Sequence, residues 1–190
     1  MKGLQFEGET IIHKGIYMKE GKEFKVGDTV TLKINGEQRA KTAKLHSAGH
    51  LLDMCYHLLG YTHPETKGYH FPAGAYVEFT GKLDAKERDK VKPELEKKIN
   101  DVIKETAESD VLKAQVFNYE EASKILGEMP SYLKPGNQIR IVKICSLDEG
   151  GPCGGTHVRH IKEIGAVKVE KVKNAGSKVF RIHYQVVDSL

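Results

Sequence analysis

Two short clusters in this chain bring together side chains whose lone pairs bind metals. His46-Ser47-Ala48-Gly49-His50 sets two imidazoles four residues apart. On a helix such residues share one face, with Cβ atoms roughly 5–6 Å apart, so both rings reach one ion. Cys153-Gly154-Gly155-Thr156-His157 follows Gly150-Gly151-Pro152. A loop so rich in glycine turns sharply enough for a thiolate and an imidazole to converge. Four nitrogen and sulfur donors suit zinc, with Zn–N near ~2.0 Å and Zn–S near ~2.3 Å. Either motif alone is a weak signal in a chain with 9 histidines. The pair predicts one zinc held by His46, His50, Cys153 and His157, although four protein ligands equally describe a closed, purely structural site. His160 is a less convenient substitute for His157. Cys55 and Cys145 sit in apolar patterns and are expected in the core, and His57 is expected to pack or to face solvent.

The surrounding pattern gives these motifs their scaffold. Ala43, Leu45, Ala48, Leu51, Leu52, Cys55, Leu58 and Leu59 recur at helical spacing, so residues 40–60 read as a helix that stops at Gly60. Residues 24–34 alternate apolar and polar side chains like a half-buried strand, and Asn35-Gly36 reads as a hairpin turn after it. Strands are expected within 69–83, with Ala75 to Thr80 alternating. Asp84 is a suitable N-cap for a charged helix running to about Glu108, with Val91, Leu95, Ile99, Val102 and Ile103 as its apolar stripe and Pro93 as its awkward member. A strand over 111–119, a short helix over 119–126 and strands over 139–147, 166–172 and 178–187 complete the order. Intermixed strands and helices at hairpin-like spacings predict an α+β fold with a mainly antiparallel sheet. The predicted division is a short N-terminal β-region over residues 1–40, like part of a barrel, and a metal-binding domain over 41–190.

Composition narrows the setting without naming the task. The 190 residues are 39% hydrophobic and 29% charged, which describes an ordinary globular chain. No window approaches the ~20 apolar residues of a spanning helix, and the first residues lack the apolar core of a secretory signal. Three widely spaced cysteines do not make a disulfide framework, so a reducing, cytoplasmic setting is expected. A net charge of +4 permits a polyanionic partner without requiring one.

Lys44-Leu45-His46-Ser47-Ala48-Gly49-His50-Leu51-Leu52, taken with Cys153-Gly154-Gly155-Thr156-His157, resembles the editing domain of alanyl-tRNA synthetase. It resembles more closely the freestanding editing proteins of the AlaX type. Residues 165–182 resemble the closing strands of that family, and Phe24 to Val30 resembles the end of the β-domain that precedes the editing domain in longer members. The threonyl-tRNA synthetase editing domain shares the paired motifs, but its second motif usually carries Arg-Gly-Pro where this chain has Gly-Gly-Thr. Gly49 stands where the synthetase-embedded alanyl domains often have threonine.

The resemblance implies a zinc-dependent hydrolase that cleaves the ester joining serine or glycine to tRNA(Ala), with one Zn²⁺ per chain. With four protein ligands a catalytic water needs an expanded shell or a displaced ligand, so one ligand, His157, is expected to be long or exchangeable. Because a pocket for alanine rejects glycine and serine poorly, editing of serine needs a group that tests for its hydroxyl. His70 is the expected sensor, with Thr80 and Thr156 as lesser candidates. Lys168, Lys171, Lys173, Lys178 and Arg181 form a basic ladder suited to the phosphates of tRNA, with Lys171 and Lys173 on one sheet face. The rival readings are a zinc-stabilised tRNA-binding module without hydrolytic activity, threonyl-type editing of Ser-tRNA(Thr), and a zinc hydrolase for a small ester or amide. A metalloprotease is disfavoured, because Ala48-Gly49 occupies the place of its glutamate base.

Overall fold

The computed structural model describes residues 3–8, 10–17 and 23–187. The chain divides into two compact units, residues 1–34 and residues 35–190. In the first, β1 (Gly3–Glu7) and β2 (Thr10–Lys14) form an antiparallel pair. Residues 23–34 form no strand, contrary to the alternation of 24–34. Phe24, Leu32 and Ile34 stay 70% or more exposed. Alternation makes a strand only where a partner pairs its backbone and a surface covers its apolar side. The Asn35-Gly36 dipeptide is not a hairpin turn either. Asn35 caps a helix, its side-chain oxygen accepting from the Gln38 amide at 2.9 Å, and asparagine is among the best residues for that task.

That helix is α1 (Gly36–Leu58), which starts four residues before the first residue expected. Its second half is buried almost all round, with Leu51, Leu52, Cys55 and Tyr56 fully enclosed. Leu59 closes it by donating to the Cys55 carbonyl, and Gly60 takes the positive φ of 88° that turns the chain away. β3 (Glu65–Tyr69) and β4 (Tyr76–Thr80) follow as a hairpin. α2 (Ala85–Glu105) begins with the expected Asp84 cap, joined by Glu87 in a capping box. Pro93 lies well inside it on the exposed side, where the carbonyl it leaves unpaired can meet water. Next come β5 (Lys113–Phe117), α3 (Tyr119–Leu126), β6 (Ile139–Lys143), β7 (Gly151–Pro152), a single 3₁₀ turn (Ile161–Ile164), β8 (Ala166–Asn174) and β9 (Val179–Val187).

The strands make a four-stranded antiparallel sheet in the order β3-β4-β9-β8 and a three-stranded one in the order β5-β6-β7. The α+β class with antiparallel sheets is therefore what the chain adopts. Val77, Phe79, Phe180, Ile182 and Tyr184 on the inner face of the larger sheet join α1 and α2 in the main core. β6 serves two cores, sending Val142 into the main one and Ile139 and Ile141 against Ala122 of α3. Cys55 and Cys145 are buried core residues, as their patterns imply. No described helix is long and apolar enough to cross a membrane.

β8 is an edge strand, and α2 satisfies its free backbone. Asn100 donates to the Val167 carbonyl at 2.7 Å and accepts from the Val167 amide at 2.9 Å, while Glu96 accepts from the Val169 amide at 2.7 Å. One amide side chain thus takes the place of a neighbouring strand. Asn100→Ala leaves two buried backbone groups without partners and is expected to destabilise the fold by about 1–3 kcal/mol, read as a lower midpoint in urea unfolding.

Candidate metal centre

The buried face of α1 presents His46 and His50 one turn apart, their ring centroids separated by 5.0 Å. The opposite wall is the loop after β7. Pairing of β7 with β6 sets the register that delivers Cys153, and the Cys153 amide donates to the Arg140 carbonyl at 2.9 Å. Arg140 then turns its guanidinium back onto the loop, donating to the carbonyls of Cys153 and Gly155 at 2.8 and 3.0 Å. From the helix side the Ser47 hydroxyl accepts from the Val158 amide at 3.0 Å. The Cys153–His157 loop is therefore pinned at both ends. Neither Arg140 nor Ser47 stands out in the sequence. Arg140 looks like an ordinary outward residue between Ile139 and Ile141, and Ser47 is hidden inside a helical apolar run.

Between these walls the ligand atoms of His46, His50, Cys153 and His157 all lie within 4.8 Å of one another. The thiol sulfur is 3.4 Å from His46 Nε2 and 3.6 Å from His157 Nε2. The His46 and His157 rings are 4.2 Å apart. His46 Nδ1 faces the Thr156 carbonyl at 3.3 Å, which holds the proton on Nδ1 and leaves the Nε2 lone pair for an ion. His157 Nδ1 is buried without a well-formed hydrogen bond among the described residues, so nothing comparable orients that ring.

Burial is the first cause of the electrostatics. It lowers the pKa of His46, and with the neighbouring imidazoles it lowers His50 and His157 to about 3. The rings are neutral at pH 7, the state in which imidazole ligates. Burial raises the Cys153 pKa, opposed by the Gly155 amide and by Arg140. Three imidazoles and a thiol at such separations are a fitting donor set for a divalent, borderline-soft ion such as zinc.

His70 joins the cluster from β3's end. Its ring stacks on His46 at 4.8 Å, and burial lowers its pKa to about 4. The Tyr184 hydroxyl donates to the Leu45 carbonyl at 2.8 Å and lies 2.7 Å from His70 Nδ1. Having spent its proton on Leu45, that hydroxyl accepts from Nδ1–H. His70 is thereby left with Nε2 as an acceptor. Beside it a cavity of about 270 Å³ is lined by Thr42, His46, Gly68, His70, Phe71 and Thr156.

Three glycines make this arrangement possible. A Cβ on Gly49 would fall 2.5 Å from His70 Nδ1 and 2.9 Å from the Tyr184 oxygen, one on Gly155 would fall 2.5 Å from His46 Nδ1, and one on Gly68 would overlap His70 Nε2. None of the three has a positive φ, so the demand is for space alone.

Other sequence candidates lie elsewhere. Thr156 lines the cavity and its hydroxyl meets Arg39 at 3.4 Å, whereas Thr80 is an exposed end of β4. His160 caps the 3₁₀ turn and holds the Ala107 carbonyl at 2.9 Å, so it is not a fifth donor. His57 is exposed and bonds the Tyr61 carbonyl at 2.9 Å. Lys168, Lys171, Lys173 and Lys178 are exposed along the β8–β9 hairpin, while Arg181 is paired with Glu78 at 2.7 Å. Gly155→Ala is expected to push His46 aside and weaken zinc binding about 10- to 100-fold, measured by competition with a chromophoric chelator. Gly154→Ala, whose Cβ meets open space, leaves it unchanged.

The family described as the threonyl and alanyl tRNA synthetase second additional domain matches residues 139–183, a stretch that contains Cys153 and His157. The chain is 33% identical over 165 residues to the alanine–tRNA ligase of Lactococcus lactis subsp. lactis (strain IL1403), covering 83% of this chain and 18% of that protein. It is 31% identical over 160 residues to the ligase of Methylibium petroleiphilum, covering 84% and 18%. The ligase of Acidothermus cellulolyticus is 28% identical over 178 residues, covering 90% and 19%. The chain thus spans under a fifth of the length of these relatives, and it is related in sequence to one segment of alanine–tRNA ligases.

Proposed function

We propose that this chain is a zinc-dependent aminoacyl-tRNA hydrolase that deacylates tRNA(Ala) mischarged with serine or glycine, acting in trans in the cytoplasm. The observation that carries the reading is the convergence of His46, His50, Cys153 and His157 beside a cavity that His46 and His70 both line. The relationship to a segment of alanine–tRNA ligases supplies the substrate class.

The four clustered side chains would hold the ion, and when bound it supplies Lewis acidity at the aminoacyl ester. His157, whose Nδ1 is buried without a well-formed hydrogen bond among the described residues, is the ligand best placed to loosen when substrate enters. Arg140 holds the Cys153–Gly155 carbonyls and keeps the loop shaped. The aminoacyl end occupies the cavity between His46 and Phe71. There the relay from the Leu45 carbonyl through Tyr184 to His70 keeps Nε2 free to accept a hydrogen bond from the serine hydroxyl. Alanine offers no such donor, so its ester gains nothing from the relay. Glycine enters by size.

Deacylation of Ser-, Gly- and Ala-tRNA(Ala), with Ser-tRNA(Thr) as a fourth substrate, tests the reading. The wild-type chain is expected to hydrolyse the first two, and Cys153→Ala to lose that activity together with its zinc. Equal rates for both proteins on every substrate would overturn the proposal in favour of an RNA-binding module, and a preference for Ser-tRNA(Thr) would move it to the threonyl type. His70→Ala is expected to slow Ser-tRNA(Ala) about tenfold, the worth of one hydrogen bond of roughly 1–1.5 kcal/mol, while Gly-tRNA(Ala) hydrolysis holds. Equal losses on both substrates would instead make His70 a packing residue.

A further inference from the structure

The four-stranded sheet has a second face, turned away from the helices. The register places Tyr69, Tyr76, His183 and Lys171 directly opposite one another across β3, β4, β9 and β8. Two residues along, Lys67, Glu78, Arg181 and Lys173 make a parallel row. A β-bulge between Val169 and Lys171 resets the alternation of β8. It puts Lys168, Lys171 and Lys173 all outward, where an unbroken strand would turn Lys168 the other way.

A merely solvated face would carry scattered charges. This one carries an ordered stack. The rings of Tyr69 and Tyr76 are 5.5 Å apart and inclined by 15°, Phe71 lies 5.1 Å from Tyr69, and the Arg181 guanidinium sits over Tyr76 at 4.4 Å. Arg181 is oriented by the buried Glu78, which is itself held by the Thr66 hydroxyl. The stack is therefore closed at the Arg181 end. At the other end Tyr69 is 37% and Phe71 55% exposed. Beyond His183 a shallow cavity of about 390 Å³ is lined by Lys171, Lys173, Arg181 and His183. Tyr69 and His70 are adjacent on the chain and serve opposite sides, one the outer row and one the metal cluster, while Phe71 also lines the cavity beside His46. The aromatic row thus begins at the mouth of the candidate site and leads over three strand spacings, ~14 Å, to free lysines.

We propose that this outer face binds the unpaired end of an RNA, with a base stacking on the open Tyr69–Phe71 end and phosphates taken by Lys171 and Lys173. The choice of RNA over another polyanion rests on the aminoacyl-tRNA reading. The aromatic end sets this occupant apart from an acidic peptide, which has no bases to stack. Base–aromatic stacking tolerates any sequence and depends little on salt, whereas the lysine contacts weaken as salt rises.

Fluorescence anisotropy of the full chain with a fluorescein-labelled single-stranded RNA hexamer tests this, alongside a blunt RNA duplex and a labelled poly-glutamate peptide. Tighter binding of the single strand is expected. Tyr69→Ala should weaken it about tenfold or more at low and high salt alike, while Tyr69→Phe restores it. Replacing both Lys171 and Lys173 by alanine should lower affinity and reduce the salt slope by about 1.4. Wild-type affinity in Tyr69→Ala, or equal binding of duplex or peptide with no dependence on Tyr69, would overturn the inference. The two readings fail separately. Hexamer binding that needs Tyr69, in a chain that hydrolyses no aminoacyl-tRNA, sinks the hydrolase alone. Hydrolysis with an unchanged KM in Tyr69→Ala sinks the stacking face alone.

Discussion

Space at three α-carbons governs the centre of this molecule. Gly155 lies against His46, and Gly49 and Gly68 enclose His70 from a helix and from a strand. A single methyl group at any of them would displace an imidazole. The close approach of α1 to the larger sheet, the tie from Tyr184 to the Leu45 carbonyl and the stacking of His70 on His46 all require that these positions carry no side chain. Protein interiors are packed to crystal density, so such contacts do not relax by small shifts. What looks like local looseness in the sequence is tightness in the fold.

The supporting parts follow from that tightness. The loop bearing Cys153 and His157 is irregular, and its backbone groups need partners that regular structure does not provide. Arg140 from β6 and Ser47 from α1 supply them from opposite sides. Farther away, Asn100 and Glu96 play a similar part for the open edge of β8. In each case a polar side chain substitutes for missing backbone pairing, and the histidine cluster gains a rigid frame without a larger core.

How much of this was readable in the sequence varies with the range of the interaction. Short-range patterns carried well. The i, i+4 spacing of His46 and His50, the N-cap at Asp84, the stop at Gly60 and the strands about 139, 166 and 179 are set by neighbours along the chain, and they stand as expected. Patterns whose meaning depends on a distant partner did not carry. Residues 24–34 alternate but make no strand. The bulge in β8 cannot be seen in a run of alternating lysines and valines, although it decides which lysines share a face. Arg140 and the relay through Tyr184 depend on contacts more than ten residues away in sequence. His70, picked out by resemblance, is brought onto His46 by the fold, a placement that no local spacing specifies.

The mutual fit of Gly49 and His70 also has a historical side. A side chain at position 49 and an imidazole at position 70 claim the same volume, so a lineage cannot acquire them in either order at equal cost. Enlarging residue 49 first meets an occupied site, whereas shrinking residue 70 first leaves only a void beside the histidine cluster, which a protein tolerates better. The two positions draw on one shared volume, so the size allowed at each is set by the other.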